Sequence, residues 1–123
     1  MIDIAAIEAA ASRLEGVAVR TPLIRNDALD RAAGGCVLVK LENLQAIGSF
    51  KIRGAYNLRS QLTAEEAARG VVAFSSGNHA QGVAIACRLL GIHASILKTE
   101  VAPRDKMDNT RRLGGEVITY DRY

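Results

Sequence analysis

One lysine stands out as a candidate nucleophile. In Gly48-Ser49-Phe50-Lys51-Ile52-Arg53-Gly54-Ala55 a glycine turn leads into a helical pattern, and Lys51 falls in its first turn. Ser49 is a residue type that caps helices, Phe50 sets an aromatic face beside the amine, and Gly54 would let another backbone approach closely. The positive end of a helix and a neighbouring aromatic are both surroundings that ready an amine to attack a carbonyl. A second stretch, Ser75-Ser76-Gly77-Asn78-His79, follows a strand pattern and precedes a helix pattern. Backbone N–H groups and hydroxyls converge there at the carboxyl end of a strand, an arrangement that suits an anion. Each stretch also has a plainer reading: a solvated lysine at a helix start, and serine and asparagine acting as caps. His79 is open in the same way, between ligand contact and an ordinary place on a helix.

The elements that must position these residues follow from spacing and punctuation. Asp3 can cap a helix in which Ile4, Ile7, Ala11 and Leu14 form one buried stripe, with Gly16 past its end. Pro22 biases Thr21 toward extended geometry. A short helix over residues 27–33 should stop at Gly34-Gly35, and Cys36-Val37-Leu38-Val39 reads as a strand that residues 40–42 extend. After a loop over residues 43–48, Ser49 opens the lysine-bearing helix, with Ile52, Ala55, Tyr56, Leu58 and Leu62 on one side. Thr63-Ala64-Glu65-Glu66 has the form of a capping box and starts a helix stopped by Gly70.

Beyond Gly70 the pattern is regular. Val71-Val72-Ala73-Phe74 reads as a buried strand, residues 79–90 as a helix closed by Gly91, and residues 92–97 as a strand. Pro103 suits the start of a helix with Met107 and Leu113 on its core face and Gly114-Gly115 as its stop. Residues 116–120 begin a third strand. Strands separated by helices make consecutive βαβ units, so the sheet should be parallel with right-handed crossovers. A last strand with no helix after it leads to the expectation of an incomplete domain.

Composition narrows the function classes. The 123 residues are 49% hydrophobic and 24% charged, ordinary for a globular chain of one domain. The formal charge of +3 comes from basic residues spread along the chain, and only 4% of residues are aromatic, which argues against a nucleic-acid partner. The two histidines lack a cysteine or carboxylate cluster at ligand spacing, so no metal site is expected. Cys36 and Cys87 read as buried thiols of a reducing compartment. With no signal-peptide pattern and no apolar run long enough to span a bilayer, the expectation is a cytoplasmic protein without a membrane partner.

Lys40-Leu41-Glu42-Asn43-Leu44-Gln45, the stretch from Gly48 to Ala55, and Ser75-Ser76-Gly77-Asn78-His79-Ala80-Gln81-Gly82-Val83-Ala84 together closely resemble the threonine and serine dehydratases (ammonia-lyases). That family belongs to the tryptophan-synthase-β-like pyridoxal-phosphate enzymes. The resemblance implies an α/β fold with a parallel twisted sheet and helices on both faces. Residues 1–50 would be the N-terminal segment of the family's large domain, and residues 51–123 most of its small α/β domain, truncated.

By the same resemblance Lys51 matches the lysine that forms an aldimine with pyridoxal 5'-phosphate, and Phe50 matches the residue packed on the cofactor ring. Asn78 matches the side chain that bonds the ring hydroxyl oxygen. Ser75, Ser76, Gly77, Asn78 and His79 would hold the substrate carboxylate, and Ser76 falls where serine racemase carries a proton-transfer serine. The implied reaction is elimination from a small hydroxy-amino acid, threonine or serine, with Lys51 removing the α-proton, to give a 2-oxo acid and ammonia.

Two departures accompany the match. Ile47 stands where the family has threonine before the lysine turn, and Leu97-Lys98-Thr99 replaces a stretch that is commonly Met-Pro. The family's glycine-rich phosphate loop would follow the residues in hand, so little cofactor affinity is expected of the chain by itself, and a homo-oligomer or a complementing C-terminal fragment are the implied partners. Two classes of function remain: a dehydratase piece, or a noncatalytic α/β anion-binding module or decayed gene product.

Overall fold

The computed structural model describes residues 2–121. Helix α1 (Ile4–Arg13) starts where Asp3 Oδ1 accepts the Ala6 N–H at 2.9 Å. Its apolar stripe is not buried, contrary to expectation: Ile4 is 69% exposed and no residue of the helix is buried. Helical spacing puts residues on one face, but that face is buried only where another element covers it. Strands β1 (Leu23–Arg25) and β2 (Leu38–Lys40) pair antiparallel, with α2 (Asp27–Ala33) between them in the chain. Asn26 caps α2, and Gly34 ends it in the left-handed conformation at φ 67°. The Val37 N–H is then taken by Asp30 Oδ1 at 2.6 Å, so β2 starts later than the apolar run suggested. Cys36 lies outside the strand and is exposed, which corrects its reading as a buried thiol, whereas Cys87 is buried.

A 3-10 turn (Glu42–Leu44) leads to α3 (Lys51–Arg59) and α4 (Ala64–Arg69). The capping box of α4 forms as expected: Thr63 Oγ1 accepts the Glu66 N–H, and Glu66 accepts the Thr63 N–H at 2.8 Å.

Strands β3 (Val71–Phe74), β4 (Ala94–Thr99) and β5 (Glu116–Tyr120) form a parallel sheet in that order, connected by α5 (Asn78–Leu89) and α6 (Arg104–Arg112). Val71 pairs with Ala94, and Ser95 with Glu116. Helix α5 is the centre of the fold. Ala80, Val83 and Cys87 pack on Ala73, Ala94 and Ile96 of the sheet. Ala84 and Ile85 join Ile52 of α3 and Leu113 after α6 in a second cluster. Every residue from Ala80 to Cys87 is buried, and most are small, so α5 lies close to both neighbours.

The α/β class and the parallel sheet are as read from the sequence. The sheet face that bears Ala73 and Ile96 is covered by α5. On the opposite face Val72 and Phe74 are 73% and 67% exposed, which corrects the reading of β3 as a buried strand, and the Phe74 and Tyr120 rings lie 5.7 Å apart. Lys98 of β4 points into the core: it is fully buried and donates to the Lys106 carbonyl at 3.2 Å, and burial lowers its pKa, helped by the charges of Lys106 and Arg111.

Candidate active site

Gly48 takes φ 69°, a conformation suited to glycine, and its N–H closes a tight turn on the Gln45 carbonyl at 2.7 Å. The chain then enters α3 later than a Ser49 cap would have it. Phe50 is the N-cap residue, already in right-handed helical geometry, and its carbonyl takes the Arg53 N–H at 3.0 Å. Ser49 therefore caps nothing; its Oγ is buried without a hydrogen-bond partner among the described residues. Lys51 is the first helical residue, and its Nζ lies 4.8 Å from the centroid of the Phe50 ring, within cation–π range. Phe50 is 56% exposed, so it holds the ammonium by its face more than it shields it from water.

The second loop runs from the end of β3 into α5, which begins at Asn78. The Ser75 N–H reaches the Leu97 carbonyl at 3.2 Å, and Ser75 Oγ accepts the Gly77 N–H at 3.2 Å. Ser76 and Asn78 are exposed, and Ser75, Gly77 and His79 are half-buried. Gly77 is the N-cap residue, so no side chain accepts the first N–H groups of α5. Among the described α-helices, α3 and α5 share a distinction: each starts without a capping side chain and without an acidic residue in its first turn.

These two starts are adjacent. A Cβ on Gly82 would lie 3.1 Å from the Lys51 carbonyl carbon and oxygen, so the second turn of α5 touches the first residue of α3. The close approach expected at Gly54 occurs here instead; a Cβ at Gly54 meets nothing within 4 Å. His79 is held below its ordinary pKa by burial, then by the charges of Arg59 and Lys51, which places it in the field of the lysine. Arg59 Nε and Gln81 Nε2 are, like Ser49 Oγ, buried and unpartnered among the described residues.

Sequence reasoning missed three residues that build the base of the lysine turn. Glu42 accepts from Arg53 Nε and Nη2 at 2.8 Å each, from Thr21 Oγ1 at 2.6 Å and from Gln45 Nε2 at 3.1 Å. Arg53 above all holds the Glu42 carboxyl down to about 2, and Glu42 in turn raises Arg53. Gln45 is buried and uses its amide as a strand edge, bonding both the N–H and the carbonyl of Val19 at 2.9 and 2.8 Å. Gly82 carried a signal, since a glycine inside a helix pattern points to close packing; the Glu42–Arg53 pair, eleven residues apart, carried none. The cleft of about 640 Å³ lined by residues including Leu14, Gly16, Arg20, Lys40 and Arg53 contains none of the residues proposed for chemistry.

Comparison with known proteins decides the family. The description "Pyridoxal-phosphate dependent enzyme" matches residues 14–123. The chain belongs to that family. It is 51% identical over 113 residues to L-threo-3-hydroxyaspartate ammonia-lyase of a Pseudomonas species, covering 92% of this chain and 35% of that protein. With L-threonine ammonia-lyase of Thermotoga maritima it shares 49% identity over 118 residues, 96% of this chain and 29% of the relative. Maize serine racemase superposes with a TM-score of 0.91 at 40% identity, covering 98% of this chain and 37% of that structure. The chain thus spans about a third of the length of these pyridoxal-phosphate relatives. Among its described residues no helix is long and apolar enough to cross a membrane.

Proposed function

We propose that this chain carries the lysine-bearing part of a pyridoxal 5'-phosphate dependent ammonia-lyase acting on a small β-hydroxy amino acid. The observation that carries the reading is the pairing of Lys51, set against the Phe50 ring, with the open start of α5 one helix away. The relatives act by name on L-threo-3-hydroxyaspartate and L-threonine, and a structural neighbour is a serine racemase; the three amino acids share a hydroxyl on Cβ.

The residues present fit the cofactor. An aldehyde needs an amine, supplied by Lys51; a flat ring needs a flat support, supplied by the exposed Phe50 face; and the buried, unpartnered Ser49 Oγ and Gln81 Nε2 sit in the two stretches that meet there. Pyridoxal 5'-phosphate, when bound, supplies a sink for the electrons left on the substrate's α-carbon. Lys51 Nζ would hold the cofactor and would be the base for the substrate's α-proton. Asn78 offers its amide to the cofactor's ring oxygen, and Ser76 offers a hydroxyl that can hold a proton at the substrate. The free N–H groups at the start of α5, with Ser75, Gly77 and His79 around them, receive the substrate carboxylate. Burial, then the charges of Arg59 and Lys51, hold His79 below its ordinary pKa. Loss of the β-hydroxyl together with a proton, as water, would leave an enamine, which tautomerises to an imine that water hydrolyses to a 2-oxo acid and ammonia.

The chain has four lysines, Lys40, Lys51, Lys98 and Lys106, so one experiment separates this role from ordinary surface chemistry. Protein treated with pyridoxal 5'-phosphate and cyanoborohydride, then digested and mapped by mass spectrometry, should carry the label mainly on Lys51, and Lys51→Ala should lose that label without raising the others. Equal labelling of Lys40, Lys51 and Lys106 would sink the proposal.

A further inference from the structure

We infer that Glu42 is the positioning residue of the lysine turn: acting through Arg53, its carboxylate fixes the first turn of α3 and so the direction of the Lys51 amine. The inference rests on the lysine role proposed above and goes beyond it to a residue that touches neither Lys51 nor its ligand.

The first turn of α3 is electrostatically awkward. Lys51 and Arg53 both lie there, at the end of the helix that already carries the positive pole of its dipole, with no acidic residue and no capping side chain to offset them. Left alone, two cations at an uncapped helix start favour fraying of that turn. Glu42 reaches the turn from outside the helix and neutralises one of the two cations. Its two oxygens take Nε and Nη2 of Arg53 in a fork, each at 2.8 Å, which fixes the guanidinium in orientation as well as in place. Lys51 is left as the cation of that turn that Glu42 does not neutralise.

The carboxylate is itself immobilised. Thr21 Oγ1 and Gln45 Nε2 occupy its remaining lone pairs, and its side chain is 17% exposed. Gln45 is bolted to the Val19 backbone on both sides, and Arg53 Nη2 adds a bond to the Val19 carbonyl at 2.9 Å. The chain between Glu42 and Arg53, including the Gly48 turn, Ser49 and Phe50, is therefore a loop whose two ends are tied together and anchored to a third segment. A group at the tip of such a loop is only as fixed as its base. Gly82 limits Lys51 from the α5 side, and Glu42 limits it from the other.

The test uses the labelling ratio of Lys51 to Lys106 under pyridoxal 5'-phosphate and cyanoborohydride, read alongside the thermal unfolding midpoint. Glu42→Gln removes the charge and keeps the shape; Arg53→Lys keeps the charge and removes the fork. Both should lower the ratio at least fivefold in protein that still unfolds cooperatively, with Glu42→Asp intermediate. If either variant fails to fold, Thr21→Val, which removes one donor to Glu42, should lower the ratio in the same direction by a smaller factor. A wild-type preference for Lys51 that persists unchanged in folded Glu42→Gln, Arg53→Lys or Thr21→Val overturns the inference and leaves the lysine role standing. A wild-type chain with no preference for Lys51 overturns both.

Discussion

The start of α4 and the start of α5 lie fourteen residues apart in a chain that treats them in opposite ways. At α4, Thr63 and Glu66 close a reciprocal capping box, so the first N–H groups have partners and two acids meet the helix dipole. At α5, Gly77 offers no side chain, no acid follows in the first turn, and the first N–H groups point outward from the end of a strand. A chain that can close a helix start, and does so with Asp3, Asn26 and Thr63, leaves α3 and α5 with neither a capping side chain nor a first-turn acid, and those two are in contact through Gly82 and Lys51. The open starts cost stability locally, and the donors they leave are the ones an anionic ligand can use.

The contact between the two open starts is where substitution should act most strongly. Gly82→Val places two methyl groups against the Lys51 backbone, where even a single Cβ would stand 3.1 Å from the carbonyl. Overpacking of this kind costs about 1–3 kcal/mol, read as a lower midpoint in urea denaturation, and should also depress the labelling of Lys51. Gly54→Ala is the matched control. It lies inside α3 with open space around its Cβ, so it should gain up to about 1 kcal/mol from helix propensity. Equal effects at the two glycines would mean that the helices do not meet where the structure puts them.

What was legible in the sequence follows the same division. Local chemistry was readable: the Asp3 cap, the Thr63–Glu66 box, the stop at Gly34 and the parallel pairing of β3, β4 and β5 all appear as expected. The glycine turn before α3 and the junction from β3 into α5 were readable too, because such turns and junctions leave marks in sequence. Burial was not. Ile4, Val72 and Phe74 share faces in the expected way, yet spacing says nothing about whether a partner covers the face. Ser49 misled because a serine beside a helix pattern reads as a cap, whereas Phe50 already has helical geometry and begins the hydrogen bonding. The Glu42, Gln45 and Arg53 network joins residues that only folding brings together, so no spacing announces it.

Exchanging the two kinds of helix start would sharpen the comparison at a smaller energy. Thr63→Ala opens α4 and should cost about 1 kcal/mol, with no change in Lys51 labelling. Gly77→Asp closes α5. Gly77 has φ −117° and ψ −147°, and a Cβ there meets nothing within 4 Å, so the aspartate is sterically allowed. It should stabilise the chain by only about a few tenths of a kcal/mol, yet lower the Lys51 labelling by pyridoxal 5'-phosphate, because a carboxylate on the neighbouring helix start adds negative charge where the anionic cofactor approaches Lys51, besides taking the N–H donors assigned to the substrate carboxylate. Stability and labelling moving together in both variants would mean that the open start has no part in ligand binding.

The smallest expected effect tests the charge at the open start of α5. His79 sits in its first turn, where burial, Arg59 and Lys51 all oppose a second positive charge and hold the imidazole below its ordinary 6.5. As the pH falls below 6.5 the unfolded chain takes up this proton before the folded one does. The contribution is therefore fully present above 6.5 and is lost as the pH drops toward the depressed folded value. His93 is the other histidine, on the surface beside Glu116, and can be removed as a control. Denaturation midpoints compared at pH 7.5 and 5.5 should fall in wild type and in His93→Gln but stay level in His79→Gln, because His79 is the histidine that burial, Arg59 and Lys51 hold below its ordinary pKa.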